Sequence, residues 1–237
     1  MKRQILVLIF LFLTVKLMIS QNLQNGLIIP QNRVEESEEL YLLPKNGFTV
    51  YNKPNGERIG IISRDFENLE DEEIYFINNK GERIDLSNEY FEEIGNEELV
   101  LKYWKRKNGF LRILDSRNEY WIKESEVKNK NFKASHWDIF LKYLNYPFYA
   151  KEPGLNVRQD SNINAEKFFT LKSDLHEITE IIELDKLWAK VKIKIYKIHP
   201  CESDLSEEEN IIGEFSGWIK LLDDSGKPNV YFYSRGC

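Results

Sequence analysis

Histidine, cysteine and clustered glycine are scarce in this sequence, and each scarcity excludes a kind of site. The 237 residues include three histidines, two cysteines and 12 glycines that all stand singly. No G-x-G-x-x-G or P-loop pattern is present, which excludes the common phosphate-binding loops. The two cysteines, Cys201 and Cys237, are far apart and have no histidine cluster beside them, so they do not indicate a metal site.

Nucleophilic catalysis needs a base beside the nucleophile, and the sequence offers one weak candidate pair. His199 stands two residues before Cys201, while His136 and His176 lie elsewhere. Because His199 and Cys201 share one turn, and because the cysteine is expected to be paired, a catalytic role is disfavoured. We therefore expect a non-enzymatic protein with no catalytic residue and no cofactor.

Acidic residues are abundant in two segments, 65–73 with six acids and 202–209 with five. A calcium site needs oxygen ligands that converge on one point, and neither segment has the D-x-D-x-D-G spacing. Solvated acidic loops are the favoured interpretation, so no metal site is predicted.

The first twenty residues are typical of an export signal. Lys2 and Arg3 precede an apolar run over residues 5–15, and eleven residues are too few to span a bilayer, which needs about 20. We expect cleavage after Ser20, although Met18 is large for its position. An uncleaved membrane anchor is the alternative, and no cysteine follows the run to favour a lipoprotein.

Loss of residues 1–20 leaves 30 basic against 39 acidic residues, a net charge of −9. This charge argues against nucleic-acid binding, which depends on lysine and arginine neutralising phosphates, but leaves room for a local basic patch. After cleavage we expect no stable membrane span and a location in the periplasm or cell envelope, or secretion.

Export also bears on the two cysteines. In an oxidising compartment an even pair predicts one disulfide, Cys201–Cys237, which would stabilise the fold by about 4 kcal/mol in the chain-entropy model. Two free thiols are the alternative.

Short β-strands separated by turn residues dominate the sequence. Residues 21–39 are polar and end in EESEE, which predicts a tether, and a β-like texture begins at Leu40. Turns are predicted at residues 79–81 and at Asn108-Gly109. Residues 88–99 fit either a short helix or a loop.

Residues 133–145 change to helical spacing, with Trp137, Phe140, Leu141 and Leu144 on one face. Ser135 followed by Asp138 resembles a capping box, and Pro147 ends the pattern. We predict a helical connector over residues 129–148 whose apolar face packs against the flanking domains.

The clearest strand is WAKVKIKIYKI, where Ala189, Val191, Ile193 and Ile195 alternate with Lys190, Lys192 and Lys194. The lysines either contact an acidic polymer or partner, or are simply solvated. VYFYS predicts a final strand.

Three short motifs follow one another in the second half: LNVR at residues 155–158, WAKV at 188–191 and GWI at 217–219. Apart from a longer insertion between Ile198 and Ile211, their order and spacing resemble the five-stranded barrel of the bacterial SH3-like (SH3b) domain family. The first half is similar to a divergent second copy, with GFTVY at 47–51, FLRI at 110–113 and YWI at 120–122, but it lacks the NVR element. The resemblance implies two small barrels, at residues 40–128 and 149–237.

The SH3-like family is known for binding, often to cell-wall peptides. The resemblance therefore implies an exported binding module for a peptide or cell-wall fragment. A protein–protein partner, such as an immunity or inhibitor protein with an acidic surface, is the alternative. The residues that could line a peptide groove are Trp121, Trp188, Trp218 and Tyr231, although aromatics on alternating strands also pack in cores.

Overall fold

The structure is a computed structural model, and it describes residues 25–31, 42–64, 74–95, 98–113, 119–144 and 146–233. The predicted signal peptide, the acidic segment 65–73 and Cys237 lie outside these residues, so the predicted disulfide remains a prediction.

The described part of the chain is mainly β, as the sequence predicted. Its first half contains β1 (Gly26–Pro30), β2 (Phe48–Tyr51), β3 (Arg58–Arg64), β4 (Ile74–Asn78), β5 (Arg83–Asp85), β6 (Phe91–Gly95), β7 (Glu98–Tyr103), β8 (Lys105–Lys107), β9 (Phe110–Arg112), β10 (Trp121–Lys123), helix α1 (Glu124–Asn129) and β11 (Phe132–His136). The second half contains helix α2 (Trp137–Lys142), β12 (Phe148–Ala150), β13 (Leu155–Arg158), β14 (Lys167–Leu171), β15 (His176–Asp185), β16 (Trp188–Tyr196), helix α3 (Glu207–Asn210), β17 (Ile211–Ile219) and β18 (Val230–Phe232). Short 3-10 turns cover Asn88–Tyr90 and Pro200–Glu202.

Two antiparallel sheets form the first half. Sheet 1 has the strand order β11-β1-β7-β6, and sheet 2 has the order β5-β4-β3-β2-β10-β9-β8. Only Trp104 separates β7 from β8, so the chain passes directly from one sheet to the other at this residue. The Trp104 backbone N–H donates to the Arg112 carbonyl at 2.7 Å, and this hydrogen bond holds the corner against β9.

Sheet 3 holds every strand of the second half, in the order β14-β13-β17-β16-β15-β12-β18. Its long central pair, β15 and β16, is antiparallel with two register shifts in β15. Ala189, Val191 and Ile193 are buried on one face, as the period-two alternation predicted.

The predicted tether is wrong for the part of it that the structure describes. β1 pairs with β11 on one side and with β7 on the other, so it is an inner strand of sheet 1. Leu27 and Ile28 are both fully buried. The three aliphatic residues Leu27, Ile28 and Ile29, bounded by a glycine and a proline, suit a short strand that is covered on both faces.

The helical connector is shorter than predicted. Residues 132–136 form β11, and α2 begins only at Trp137, with His136 rather than Ser135 at its N-cap. The Ser135 hydroxyl donates to the His136 carbonyl instead of capping the helix. The apolar face is nevertheless buried as expected, with Trp137, Phe140 and Leu141 in the core.

Two apolar cores result, and one of them crosses between the halves of the chain. The first is confined to the N-terminal half and includes Ile28, Phe48 and Ile122. The second joins Leu27 of β1 and the buried face of α2 to residues of sheet 3 such as Val191. The helix and β1 therefore attach sheet 1 to sheet 3 by apolar packing, which favours joint folding of the two halves.

Both predicted turns are confirmed. Asn108 and Gly109 have φ of 51° and 75° and join β8 to β9, as expected for Asn-Gly in a type I′ hairpin. β4 and β5 pair across the second turn, where Gly81 has φ of 83°. In the ambiguous segment 88–99, the described residues 88–95 and 98–99 form a 3-10 turn and strand rather than an α-helix. The helix α1 was not predicted.

Candidate functional site

The four aromatic residues predicted to line a groove do not share one surface. Trp121 is buried in sheet 2, and its indole N–H donates to Glu119 Oε2 at 3.3 Å. Trp188 and Trp218 are half-buried on β16 and β17, while Tyr231 lies on β18, with β15 and β12 between them. Tyr231 is the one of the four that lines the cleft described below.

Trp188 and Trp218 lie on the face of sheet 3 that carries the lysine stripe. Lys190 is directly opposite Trp218, and alternation puts Trp188 on the same side, away from the buried Ala189. Acids neutralise much of this stripe: Lys192 pairs with Glu180 and Lys194 with Glu207, each at 2.5 Å. The stripe is therefore an ion-paired outer face rather than an isolated basic patch.

A cleft of about 430 Å³ opens where sheet 1, α2 and the end of sheet 3 meet, and we call it the inter-sheet cleft. Sheet 1 and its corner contribute Glu92, Glu93, Lys102, Tyr103 and Trp104. The second half contributes Trp137 and Leu141 from α2, together with Lys151, Lys227, Pro228, Val230, Tyr231 and Phe232; Asn25 completes the lining. Aromatic and aliphatic walls with a few charged groups are the usual composition of a ligand pocket.

Charge is unevenly distributed in the inter-sheet cleft. Lys102 lies 3.5 Å from Glu92, so this pair is close to neutral. Lys151 Nζ donates to the Pro228 carbonyl at 3.1 Å, and Lys227 Nζ lies 5.1 Å from the centre of the Trp104 ring. Within the described residues neither of these two lysines has a carboxylate partner.

Lys227 is presented by a tight turn. The Asp223 carboxylate accepts the backbone N–H of Ser225 at 2.8 Å and that of Lys227 at 2.9 Å. Burial alone would raise the pKa of Asp223, but these hydrogen bonds and the Ser225 hydroxyl lower it overall, so the carboxylate stays charged. The turn is thus fixed at neutral pH and holds Lys227 at the cleft.

Tyr231 is held by an aromatic cluster behind the cleft. Its ring lies 5.6 Å from both Tyr149 and Tyr233, and His199 packs 6.2 Å from Tyr149. Burial and a hydrogen bond with Tyr233 raise the pKa of Tyr231 to about 12. Tyr231 is therefore a neutral phenol at physiological pH, with its ring fixed by neighbours.

Glu177 anchors the same cluster from beneath. The hydroxyls of Tyr149 and Tyr196 donate to its two carboxylate oxygens at 3.2 and 3.3 Å. Burial, together with the Glu177 charge, raises the pKa of both tyrosines above the usual value. Both hydroxyls therefore stay protonated at neutral pH and act as structural hydrogen-bond donors to the carboxylate.

The other sites considered from sequence are also located. His199 Nδ1 accepts the backbone N–H of Cys201 at 3.3 Å, so this contact involves the backbone rather than the thiol. In segment 202–209, Ser206 and Glu209 form a capping box for α3. In the part of the chain that the structure describes, no group of three or more metal-ligating side chains comes together.

No protein-family model, curated protein or solved structure matches this chain. Among the helices of the described residues, none has the length and apolar character needed to cross a membrane.

Sequence reasoning missed the inter-sheet cleft because its walls are distant in the chain. Trp104, Lys151 and Lys227 belong to a sheet corner, a strand end and a turn. The one local signal was Trp104 itself, a large aromatic in a run of basic residues where strand alternation breaks.

Proposed function

We propose that this chain is an exported, non-enzymatic binding protein of two SH3-like β domains, and that it recognises a peptide or cell-wall fragment. The observation that carries the proposal is the inter-sheet cleft. Its volume of about 430 Å³ lies in the range of roughly 300–1,000 Å³ common to small-ligand sites.

The lining of the cleft supports a peptide-like ligand. Leu141, Val230 and Phe232 offer apolar surface, and Trp104 and Tyr231 offer ring faces. Lysines and acids at the rim supply hydrogen bonds for backbone amides and charged termini. The core that joins α2 to sheet 3 holds the two walls in place, which lowers the entropy lost on binding.

Retention on purified peptidoglycan sacculi tests the proposal. The protein, purified after export, is compared with Trp104→Ala in the cleft and with Trp218→Ala on the outer face. Both tryptophans are half-buried, so the two variants lose similar packing. The proposal predicts that only Trp104→Ala abolishes retention; loss with Trp218→Ala alone contradicts the site assignment.

Folding of both variants is checked by thermal unfolding, because truncation of a large aromatic side chain lowers stability. Wild-type protein that is not retained by sacculi and binds no soluble wall peptide contradicts the proposed function as a whole.

The alternative of a protein partner is favoured by a different surface. Phe168 and Phe215 are about half-exposed. β17 is paired with β16 along one edge, but β13 pairs with its other edge only at Trp218, so within the described residues that other edge has no strand partner over residues 211–216. The acidic residues of 202–209 lie just before this edge. Such an edge suits an extended segment of a basic partner.

Salt dependence tests this alternative. A basic partner captured from envelope extract should be released as ionic strength rises from about 0.05 to 0.3 M, because screening weakens exposed ion pairs. Glu208→Lys should slow association, whereas Glu82→Lys, an exposed acid in the β4–β5 turn, should leave it unchanged. Equal rates for the two variants contradict the alternative.

A further inference from the structure

We infer that the inter-sheet cleft recognises the free carboxylate of a peptide, with Lys151, Lys227 and the Trp104 indole N–H as its donors. This inference rests on the proposed function and adds the chemical class of the ligand. All three residues line the same cleft.

The first observation is a pair of lysine ammonium groups that form no ion pair within the described residues; the Asp223 carboxylate acts on Lys227 through its charge, while its oxygen accepts the Lys227 backbone N–H. Lys151 Nζ donates to the Pro228 carbonyl at 3.1 Å, which uses one of its three N–H bonds. Lys227 Nζ lies over the Trp104 ring, 5.1 Å from its centre. In the described part of the chain no carboxylate pairs with either lysine, whereas Lys102 across the cleft has Glu92.

The second observation is independent of charge. Trp104 Nε1 is shielded from solvent and has no hydrogen-bond partner in the described part of the chain. A buried donor without an acceptor is unfavourable, and an indole can only donate. An acceptor group bound beside Trp104 would satisfy this nitrogen, with the Lys227 ammonium group over the same ring.

The opposite wall favours a carboxylate over a phosphate. Glu92 and Glu93 line the cleft together with the lysines. With Lys102 included, three lysines and two glutamates line the cleft and leave one net positive charge. A singly charged carboxylate balances this charge, whereas a doubly charged phosphate exceeds it. The apolar surface of Leu141, Val230 and Phe232 then accommodates the side chain next to the carboxylate.

The experiment is a calorimetric titration of the exported protein with N-acetyl-alanyl-phenylalanine, as its free acid and as its C-terminal amide. Hydrogen bonds to a charged group predict that the acid binds at least tenfold more tightly. The double variant Lys151→Gln/Lys227→Gln should bind the acid no better than the amide. Lys167→Gln, an exposed lysine on β14, is the matched control and should keep the preference.

The outcomes separate the inference from the proposed function. Equal binding of acid and amide, or displacement of the acid by inorganic phosphate but not by acetate, overturns the carboxylate assignment and leaves a peptide-binding cleft. Retention on sacculi without binding of either dipeptide also overturns the assignment. A tenfold preference lost only in the double variant supports it, and a soluble wall digest competing with the dipeptide identifies the wall as the source of the carboxylate.

Discussion

The two buried residues of β1 provide a sharp test of the fold, because their neighbours belong to different cores. Leu27 packs in the core that reaches sheet 3, and Ile28 packs in the core of the first half. Both are fully buried. Leu27→Ala removes three buried carbon groups at about 0.8 kcal/mol each, and the cavity left behind raises the loss to roughly 3 kcal/mol.

Ile28→Ala also removes three buried carbon groups and should cost about 3 kcal/mol for the same reason. Equilibrium unfolding in urea, followed by tryptophan fluorescence and by far-ultraviolet circular dichroism, measures both losses. Ile163→Ala is the control, because that isoleucine is 59% exposed, and its change should stay within about 0.5 kcal/mol.

Cooperativity is the second readout of this experiment. Since α2 and β1 join the sheets through apolar packing, both variants should shift one common transition seen by both probes. If residues 26–30 were a tether, neither substitution would change the free energy of unfolding, and that result would refute the assignment of β1. Two separate transitions, only one of them moved by each variant, would refute the joined core.

Three further predictions concern single positions. Gly217→Ala should lower the free energy of unfolding by about 1–3 kcal/mol, because an added Cβ would lie 2.4 Å from Val157 Cγ1. In a double-mutant cycle with Val157→Ala, the double variant should lose less than the sum of the two single losses, and additive losses would contradict the clash. Gly109→Ala should lower the free energy of unfolding by about 1–2 kcal/mol, because its φ of 75° is unfavourable for alanine although the space is open. This loss should appear as a lower urea midpoint, and an unchanged midpoint would contradict the turn. Burial lowers the pKa of His176 below 6.5, so the folded chain binds fewer protons at this residue than the unfolded chain, and stability should fall as pH drops through 6.5 toward the lower folded pKa. Thermal melts of His176→Gln at several pH values should show a weaker pH dependence of stability. An unchanged dependence would exclude His176 as its source.

Local patterns in the sequence predicted much of the strand content. The alternation of Ala189, Val191 and Ile193 identified the buried face of β16, and Asn108-Gly109 identified a hairpin turn, because both signals depend on neighbours in the chain. The strand β1 was missed because a short apolar run beside polar segments has no period of its own. Its partners β7 and β11 are distant in sequence, and only pairing with them defines the strand.

The face of β3 illustrates the same limit. Ile61 and Ile62 are adjacent apolar residues, so period-two alternation does not decide which of them points inward. The structure buries Ile62 fully and leaves Ile61 half-exposed. The packing partners of Ile62, such as Phe48, make that choice.

The candidate site was less predictable than the fold. Of the four aromatic residues proposed from sequence, only Tyr231 lines the inter-sheet cleft. Trp104 and Lys227 are brought together by the meeting of a sheet corner with a distant turn. Residue type identified aromatics as potential contacts, but their grouping depends on long-range packing that spacing does not reveal.

The five tryptophans allow the assignment of the inter-sheet cleft as the ligand site to be tested in one spectrum. Trp104 and Trp137 line the cleft, Trp121 lies in sheet 2, and Trp188 and Trp218 lie on the outer face of sheet 3. The measurement is a titration of ¹⁵N-tryptophan-labelled protein with soluble peptidoglycan fragments, observed by the indole resonances. The cleft assignment predicts that the signals of Trp104 and Trp137 shift and the other three stay in place. Shifts confined to Trp188 and Trp218 would contradict it and move the site to the outer face.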